Sequence, residues 1–270
     1  MGCHVRRMRY LLPLILLAAP LAAEEIMPDQ LAGFADRDVV ILGELHDNPF
    51  HHSHQAEAVA VLAPKAVVFE MLTPEKAAFV TPDLLGDEAA LGEALDWAQS
   101  GWPDFSMYYP IFAASGGAEI YGAQVTRESA RAAVSGDGVA ARFGEDAEVF
   151  GLTGALPEEQ QATREAMQMQ AHCNALPESM LGGMVMVQRL RDATLARAVV
   201  DAHAATGGPV VVITGNGHAR TDWGVPALLP EGLDVVSVAQ IEGAPEPGAP
   251  YDFWIVTQEA EREDPCKAFE

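Results

Sequence analysis

The feature that most constrains the fold is a strand–helix–strand alternation early in the chain. Residues 39–42 form a short apolar run with no polar residue between its members, as expected of a strand buried on both faces. Apolar and small residues then recur at helical spacing over residues 51–62, and residues 66–69 form a second β-branched run. Parallel strands need such a crossover between them. The sequence therefore predicts an α/β fold with a mainly parallel central sheet flanked by helices.

Further patterns extend this fold into one domain, residues 24–270, for which a hydrophobic content of 49% supplies an ample core. The Gly- and Ala-rich stretch 135–156 is expected to be a linker, so that about residues 135–205 form a linker plus a helical insertion over one face of the sheet. Further strands are expected at residues 118–125, 209–213, 235–238 and 253–256, and helices from Thr73 and at residues 87–100, 127–134, 157–171 and 177–203.

The N-terminal segment has the pattern of a secretory signal peptide. Arg6, Arg7 and Arg9 precede an apolar run over residues 11–17, and small residues end at Ala23. An uncleaved anchor is the alternative, but the apolar run falls short of the roughly 20 residues that span a bilayer. We therefore expect residues 1–23 to be removed on export and the mature protein to be periplasmic.

The balance of charges restricts the class of partner. The formal charge of −23 becomes −26 when residues 1–23, which carry three arginines and no acidic residue, are removed. Such an acidic surface repels nucleic acids and anionic lipid headgroups and favours solubility. A nucleic-acid partner is therefore not expected.

The expected compartment bears on the pairing of the cysteines. Cys3 lies ahead of the apolar run and is not placed to be the acylated residue of a lipoprotein. Cys173 and Cys266 remain, and two cysteines in an oxidising compartment favour a disulfide over two unrelated thiols. This bridge would tie the C-terminal tail to the middle of the chain.

Ionisable side chains follow three of the predicted strands. Glu44 and His46 come directly after the first strand, Glu70 after the second, and His218 after residues 209–213. Ligands of open parallel sheets bind beyond the carboxyl ends of the strands, so we expect one shared site there. The alternative is that each residue only caps a helix or a loop. His51, His52 and His54 follow on the first helix, where a solvated turn is expected for at least two of them.

Two chemistries fit this cluster. Two histidines and a carboxylate, here His46, His218 and Glu44, can hold a divalent metal. Alternatively, Glu44, His46, Glu70 and His218 can act as general bases and acids in a hydrolysis. The spacing is not that of a His-Glu-x-x-His helix, so it does not by itself establish a metal site.

Aromatic residues and methionines offer a different kind of site. Trp102, Phe105, Tyr108 and Tyr109 are expected on an aromatic loop that packs as core or lid, although a phenolate can also ligate ferric haem iron. Methionines on the two long helices usually form deformable core, but a flat apolar ligand would also need such a surface. These methionines include Met180, Met184 and Met186. His172, next to Cys173, could present an imidazole to the same ligand.

Taken together, these motifs resemble the ChaN-like haem-binding uptake proteins, whose superfamily includes the Tiki proteases, TraB-type proteins and erythromycin esterases. The resemblance covers about residues 39–256. Two features depart from it: there is no lipobox cysteine, and Gln124 and Arg127 stand where the family pattern has an Asn before the Arg. The matching residues are Gly43-Glu44-Leu45-His46-Asp47-Asn48, Glu70, Gln188, Arg191-Asp192, Gly215-Asn216-Gly217-His218, Asp222-x-Gly224-Val225-Pro226 and the loop 102–110.

The resemblance implies an exported haem-binding protein of iron uptake, with tyrosine ligation of the iron. Tyr109 is the first choice of ligand and Tyr108 the second, with His172 and Met184 as further haem contacts. It also implies a possible homodimer, and an outer-membrane haem receptor is a possible partner. The superfamily's hydrolases keep the alternative open, namely a peptidase or esterase that uses the His46, Glu44, Glu70 and His218 cluster.

Overall fold

The computed structural model describes residues 23–136, 138–245 and 248–269. Apart from Ala23, the predicted signal peptide lies outside these residues. The described part contains a seven-stranded sheet in which every pairing is parallel, in the order β1-β7-β6-β2-β5-β3-β4. This confirms the predicted α/β fold. The strands are β1 (Glu24–Glu25), β2 (Val39–Glu44), β3 (Ala66–Phe69), β4 (Glu119–Gly122), β5 (Val210–Gly215), β6 (Val235–Glu242) and β7 (Phe253–Thr257).

Helices cover both faces of the sheet. Four short 3-10 segments accompany them: Pro28–Phe34, Trp97–Gln99, Val225–Leu228 and Pro265–Phe269. Among the described residues, no helix is both long and apolar enough to cross a membrane. The α-helices are α1 (Pro49–Leu62), α2 (Pro74–Ala77), α3 (Glu88–Ala94), α4 (Phe105–Ala114), α5 (Arg127–Ser135), α6 (Val139–Phe143), α7 (Glu158–Ala171), α8 (Glu178–Thr206) and α9 (Asn216–Ala219).

The central strands divide the apolar core into two layers. Alternate residues of a strand point to opposite faces, so Val40 and Leu42 pack with α1 and α4, whereas Val39 and Ile41 pack with α8. All six residues of β2 are buried, as are all six of β5. Burial on both faces explains why residues 39–42 of β2 and 210–213 of β5 are uniformly apolar in sequence.

Helix α8 is the main crossover of the second half of the chain. Its buried side chains, among them Leu190, Leu195 and Val199, pack on the sheet between β4 and β5. The predicted insertion therefore contributes one of the two core layers through α8. The stretch 135–156, predicted as a linker, contains the short helix α6, whose Val139 joins the same layer.

The aromatic stretch around Tyr108 is helical, which corrects the prediction of a loop for its second half. Asp104 caps the N-terminus of α4, where its carboxylate accepts a hydrogen bond from the Ser106 amide at 2.9 Å. Tyr108, Ile111 and Phe112 then recur at helical spacing and are fully buried. The proline at position 110 and the density of aromatic residues obscured this pattern in the sequence.

The predicted disulfide is present between Cys173 and Cys266, with a Cα–Cα distance of 5.5 Å. It joins the turn after α7 to the C-terminal tail. A second link holds the tail, because Arg262 forms ion pairs with Asp47 at 2.7 Å and with Glu242 at 2.6 Å. The tail is therefore fixed across the carboxyl edge of the sheet.

Candidate functional site

The predicted cluster assembles at the carboxyl edge of the sheet. Strands β2, β5 and β3 are neighbours, and they present Glu44, His218 and Glu70 respectively. Gly43 allows this close packing, because a Cβ atom there would lie 2.4 Å from the Asn216 side chain. The structure thus brings Glu44, His46, Glu70 and His218 to one place, as the sequence predicted.

The first centre is built around the buried carboxylate of Glu44. Its Oε1 atom lies 2.7 Å from His46 Nδ1 and accepts a hydrogen bond of 2.7 Å from the Tyr108 hydroxyl. Burial opposes the ionisation of Glu44, but the hydrogen bond with His46 and the charge of His52 lower its pKa below the usual value. Burial likewise disfavours the imidazolium of His46, but Glu44 outweighs burial and raises the pKa of His46 to about 9.

Two further aromatic groups fix this centre. The Tyr108 side chain is fully buried, and its pKa is raised by burial and by the charge of Glu44, so it remains a neutral phenol. His52 Nε2 lies 2.9 Å from the carbonyl oxygen of His46. His51 and His52 are both buried, which corrects the expectation of a solvated helix turn. Burial also lowers the pKa of His51 to about 4.

The second centre is built around His218. Its Nδ1 atom lies 2.6 Å from Asp192 Oδ1, and its Nε2 atom lies 3.5 Å from Glu70 Oε1. The other oxygen of Glu70 accepts hydrogen bonds from the Thr214 hydroxyl at 2.7 Å and the Gly215 amide at 2.9 Å. Burial opposes the charge of Glu70, but His218 and His46 lower its pKa to about 2. The carboxylates in turn raise the pKa of His218 against the effect of burial.

The absence of a side chain at Gly215 allows the two centres to lie close together. A Cβ atom at this position would lie 2.9 Å from His46 Nε2 and 3.8 Å from Glu70 Oε2. Imidazoles and carboxylates therefore alternate in one row along the sheet edge, from Glu44 to Asp192. Such a row can store and transfer protons, which is the capability that general acid–base chemistry needs.

Two clefts open on either side of this row. Cleft one, with a volume of about 680 Å³, lies toward α7 and α8. Cleft two, with about 590 Å³, lies toward α2, residues 99–102 and the start of α5. His46, Gln188 and His218 line both clefts. Met167, Val185 and Trp223 add apolar surface to cleft one. Trp102, Lys76, Arg127 and Arg191 line cleft two.

The described residues do not form the predicted metal centre. Within the described ranges, no group of three or more His, Cys, Asp or Glu side chains has an arrangement that could hold a metal ion. The proposed ligands have other partners: His46 is bound to Glu44 and His218 to Asp192. Glu44, His46 and His218 are thus engaged within the protein and are not arranged as a metal site among the described residues.

The predicted haem contacts lie elsewhere. Tyr109 is half-buried in the α1 and α4 layer, and its hydroxyl donates a hydrogen bond of 3.0 Å to the Leu85 carbonyl. Met184 lies on α8, which packs on the opposite face of the sheet. His172 ends α7, with its Nδ1 atom 2.8 Å from the Gln168 carbonyl oxygen. One subunit thus does not gather Tyr109, His172 and Met184 around a single ligand.

The residue pattern alone did not reveal Asp192. It lies in the middle of α8 with 3% of its surface exposed, 26 positions before its partner His218. A sequence signal existed, because an acidic residue between the buried Leu190 and Ala193 interrupts the apolar face of a helix. Only the family resemblance had included it. Arg164 and Trp223, which line cleft one, also escaped notice.

Comparisons with known proteins agree with this architecture. Residues 30–229 match the family described as haem-binding uptake, Tiki superfamily, ChaN. The structure of ChaN of Campylobacter jejuni with cofacially bound haem is similar to the chain with a TM-score of 0.62 and 19% identity, over 83% of this chain and 89% of that one. At this identity, the likeness shows a shared fold. No curated protein matches the chain.

Two more distant structures were also found. The type III effector HopBA1 has a TM-score of 0.48 and 14% identity, over 86% of this chain and 94% of that one. A succinoglycan biosynthesis protein has a TM-score of 0.38 and 12% identity, over 79% of this chain and 68% of that one.

Proposed function

We propose that this chain, which belongs to the ChaN family of haem-binding uptake proteins, binds haem iron through the phenolate of Tyr109. The family supports haem as the ligand, and the export signal predicted at residues 1–23 supports a periplasmic site of action. The protein would hold haem during uptake, and an outer-membrane haem receptor is the partner that this role suggests.

The observation that carries the choice of Tyr109 is its contrast with Tyr108. Tyr108 is buried, its hydroxyl is bound to Glu44, and its pKa is raised, so it is poorly placed to become a phenolate at iron. Tyr109 is half-buried, and its hydroxyl has one backbone acceptor, the Leu85 carbonyl. Exchange of that bond for an iron ligand disturbs no buried charge.

A homodimer fits this proposal. Tyr109 belongs to the layer on one face of the sheet, whereas His172 and Met184 lie on the helices of the other face. Haem held by Tyr109 of one subunit would meet His172 or Met184 across a subunit interface. Sedimentation with and without haemin tests this arrangement, which predicts a heavier species when haemin is bound.

The proposal is tested by titrating the purified mature protein with haemin and recording the Soret band. Wild type is expected to shift the band at micromolar haemin, and Tyr109→Phe is expected to weaken binding at least about tenfold, because phenylalanine has no oxygen to ligate iron. Tyr108→Phe is the matched control, since it removes the neighbouring hydroxyl and should leave the band in place.

No Soret shift in wild type at micromolar haemin would refute haem binding itself. A normal shift in Tyr109→Phe would leave haem binding intact but reject Tyr109 as the ligand. The two results are distinct, so each part of the proposal can fail separately.

A hydrolase is the second candidate, and the row of imidazoles and carboxylates favours it. His46 and His218 each contact a buried carboxylate and each line both clefts, so they are placed to exchange protons with a bound substrate. Because its pKa is raised to about 9, His46 is protonated at neutral pH and would act as general acid, with Glu44 as its orienting partner. A panel of peptides and esters tests this role: turnover that is lost in His46→Ala supports it, and absence of turnover in wild type removes it.

A further inference from the structure

A small pocket beside cleft one contains a buried arginine whose Nε atom has no hydrogen-bond partner among the described residues. We call it the Arg164 pocket; it has a volume of about 230 Å³. Its charged lining residues are Arg164, Arg189, Asp192 and Asp222, and its apolar ones include Phe150, Leu156, Trp223 and Leu228. Arg164 projects from α7, is 9% exposed, and lines cleft one as well. It is therefore a desolvated guanidinium at the junction of two cavities.

The other charged groups of this region are satisfied. Arg220 forms two hydrogen bonds with Asp222, at 3.0 and 2.7 Å. Arg189 donates to the Gly154 carbonyl at 2.8 Å. Asp192 is bound to His218 at 2.6 Å. Each of these charges has a partner at hydrogen-bond distance within the protein.

Arg164 differs from them. Its Nε atom is buried without a hydrogen-bond partner, and in the described parts of the chain it forms no ion pair within 4 Å. Its guanidinium carbon lies 4.9 Å from the centroid of the Trp223 ring. Asp192 and Asp222 attract the charge from beyond ion-pair distance, and each is hydrogen-bonded to another residue. Burial lowers the pKa of Arg164, which reflects the cost of holding this charge away from water. A buried cation of this kind is destabilising unless an anion completes it.

The lining of the pocket indicates the size and the chemical class of an anion that could bind Arg164. Phe150, Leu156 and Leu228 give the pocket apolar walls, and the Trp223 ring supplies a flat aromatic surface. The volume is below the roughly 300–1,000 Å³ of sites for drug-sized ligands. The guanidinium fork matches a carboxylate, which it can bind through two parallel hydrogen bonds.

We propose that the Arg164 pocket binds a small organic carboxylate with an apolar or aromatic tail. The carboxylate pairs with Arg164, and the tail lies among Phe150, Leu156 and Leu228 beside Trp223. This site is separate from Tyr109, and the proposal does not depend on haem binding. No bond is made or broken on binding.

The test is calorimetric titration of the mature protein with phenylacetate and with its neutral analogue phenylacetamide. Phenylacetate is expected to bind at one site, and phenylacetamide at least about tenfold more weakly, because it offers the guanidinium no anion. Arg164→Gln should abolish this preference. Arg37→Gln is the matched control: it removes the same charge from an exposed pair with Asp234 at the opposite edge of the sheet and should change neither affinity.

Thermal unfolding separates binding from a structural role. Arg164→Met keeps an apolar stem and removes the buried charge, so the ligand-free variant is expected to melt at a higher temperature than wild type while losing phenylacetate binding. Equal affinities for the two probes, or undetectable phenylacetate binding at millimolar concentration, would overturn the proposal. So would a lower melting temperature of Arg164→Met combined with unchanged phenylacetate binding, which would assign Arg164 to the core alone.

Discussion

Tyr108 and Tyr109 are consecutive residues of one helix, yet they belong to two regions with opposite properties. The Tyr108 hydroxyl joins the carboxyl edge, where Glu44, His46, Glu70 and His218 hold one another in a buried network. Tyr109 belongs to the outer side of α4, where its hydroxyl has a backbone acceptor and no ionised partner. The carboxyl edge is charged and hydrogen-bonded throughout, whereas Tyr109 has apolar neighbours and one neutral hydrogen-bond partner.

The two regions therefore suit different functions, namely proton transfer and metal ligation. A preorganised row of acids and bases suits proton transfer, because its groups are already oriented before a substrate arrives. A phenol held by one neutral hydrogen bond suits reversible metal ligation, since little is lost when it changes partner. Variants should therefore affect one region without the other, and the following predictions test that separation.

The largest effect on stability is expected from Asp192→Ala. Removal of this carboxylate leaves His218 buried without its closest partner, and breaking a buried pair costs about 3–5 kcal/mol of unfolding free energy. Asp234→Ala, which breaks the exposed pair with Arg37, should cost about 0–1 kcal/mol. Urea unfolding measures both. A loss in Asp192→Ala no greater than in Asp234→Ala would show that the edge is not a tightly coupled network.

A smaller effect is expected from Gly215→Ala. The added methyl group would lie 2.9 Å from His46 Nε2 and must displace the imidazole, at a cost of about 1–3 kcal/mol. At Gly217, two residues along, nothing lies within 4 Å of the same methyl group, so Gly217→Ala should change stability by less than about 1 kcal/mol. Haemin binding should be unaffected in both variants. If Gly215→Ala weakens the Soret band and Gly217→Ala does not, haem binding depends on the carboxyl edge, and the two regions form one site.

The most gradual effect is the pH dependence of stability. The raised pKa of His46, about 9, contributes stability below about pH 6.5, which is lost as the pH rises toward 9. The lowered pKa of Glu70, about 2, contributes stability above about pH 4.3, which is lost as the pH falls toward 2. His46→Gln should flatten the alkaline decline and leave the part that is due to the raised pKa of His218. Unfolding free energies between pH 2 and 10 provide the measurement, and an unchanged alkaline decline in this variant would contradict the assignment.

The sequence predicted those parts of the site that follow strand ends. Glu44, Glu70 and His218 follow apolar runs within five residues, so the geometry of a parallel sheet was enough to bring them together. Asp192 could not be placed in this way, because its position depends on how α8 crosses the sheet. The pairing of Cys173 with Cys266 was predictable from their number and from the oxidising compartment that the signal-peptide pattern predicts.

Other features depended on packing that no local pattern encodes. The helical character of α4 was hidden by Pro110, and only the burial of Tyr108 and Phe112 against the sheet fixes which tyrosine faces outward. The pocket around Arg164 combines residues from α7, α8 and the 3-10 segment Val225–Leu228, which are distant in sequence. Such a site follows from the assembled fold and leaves no motif in the chain.

The central claim, that Tyr109 ligates haem outside the charged edge, is tested most directly by resonance Raman spectroscopy of the ferric haem complex with isotopically labelled tyrosine. We predict an iron–phenolate vibration that shifts on labelling in wild type and in Tyr108→Phe and disappears in Tyr109→Phe. A phenolate vibration that persists in Tyr109→Phe, or a wild-type spectrum with no labelled band, would contradict the claim.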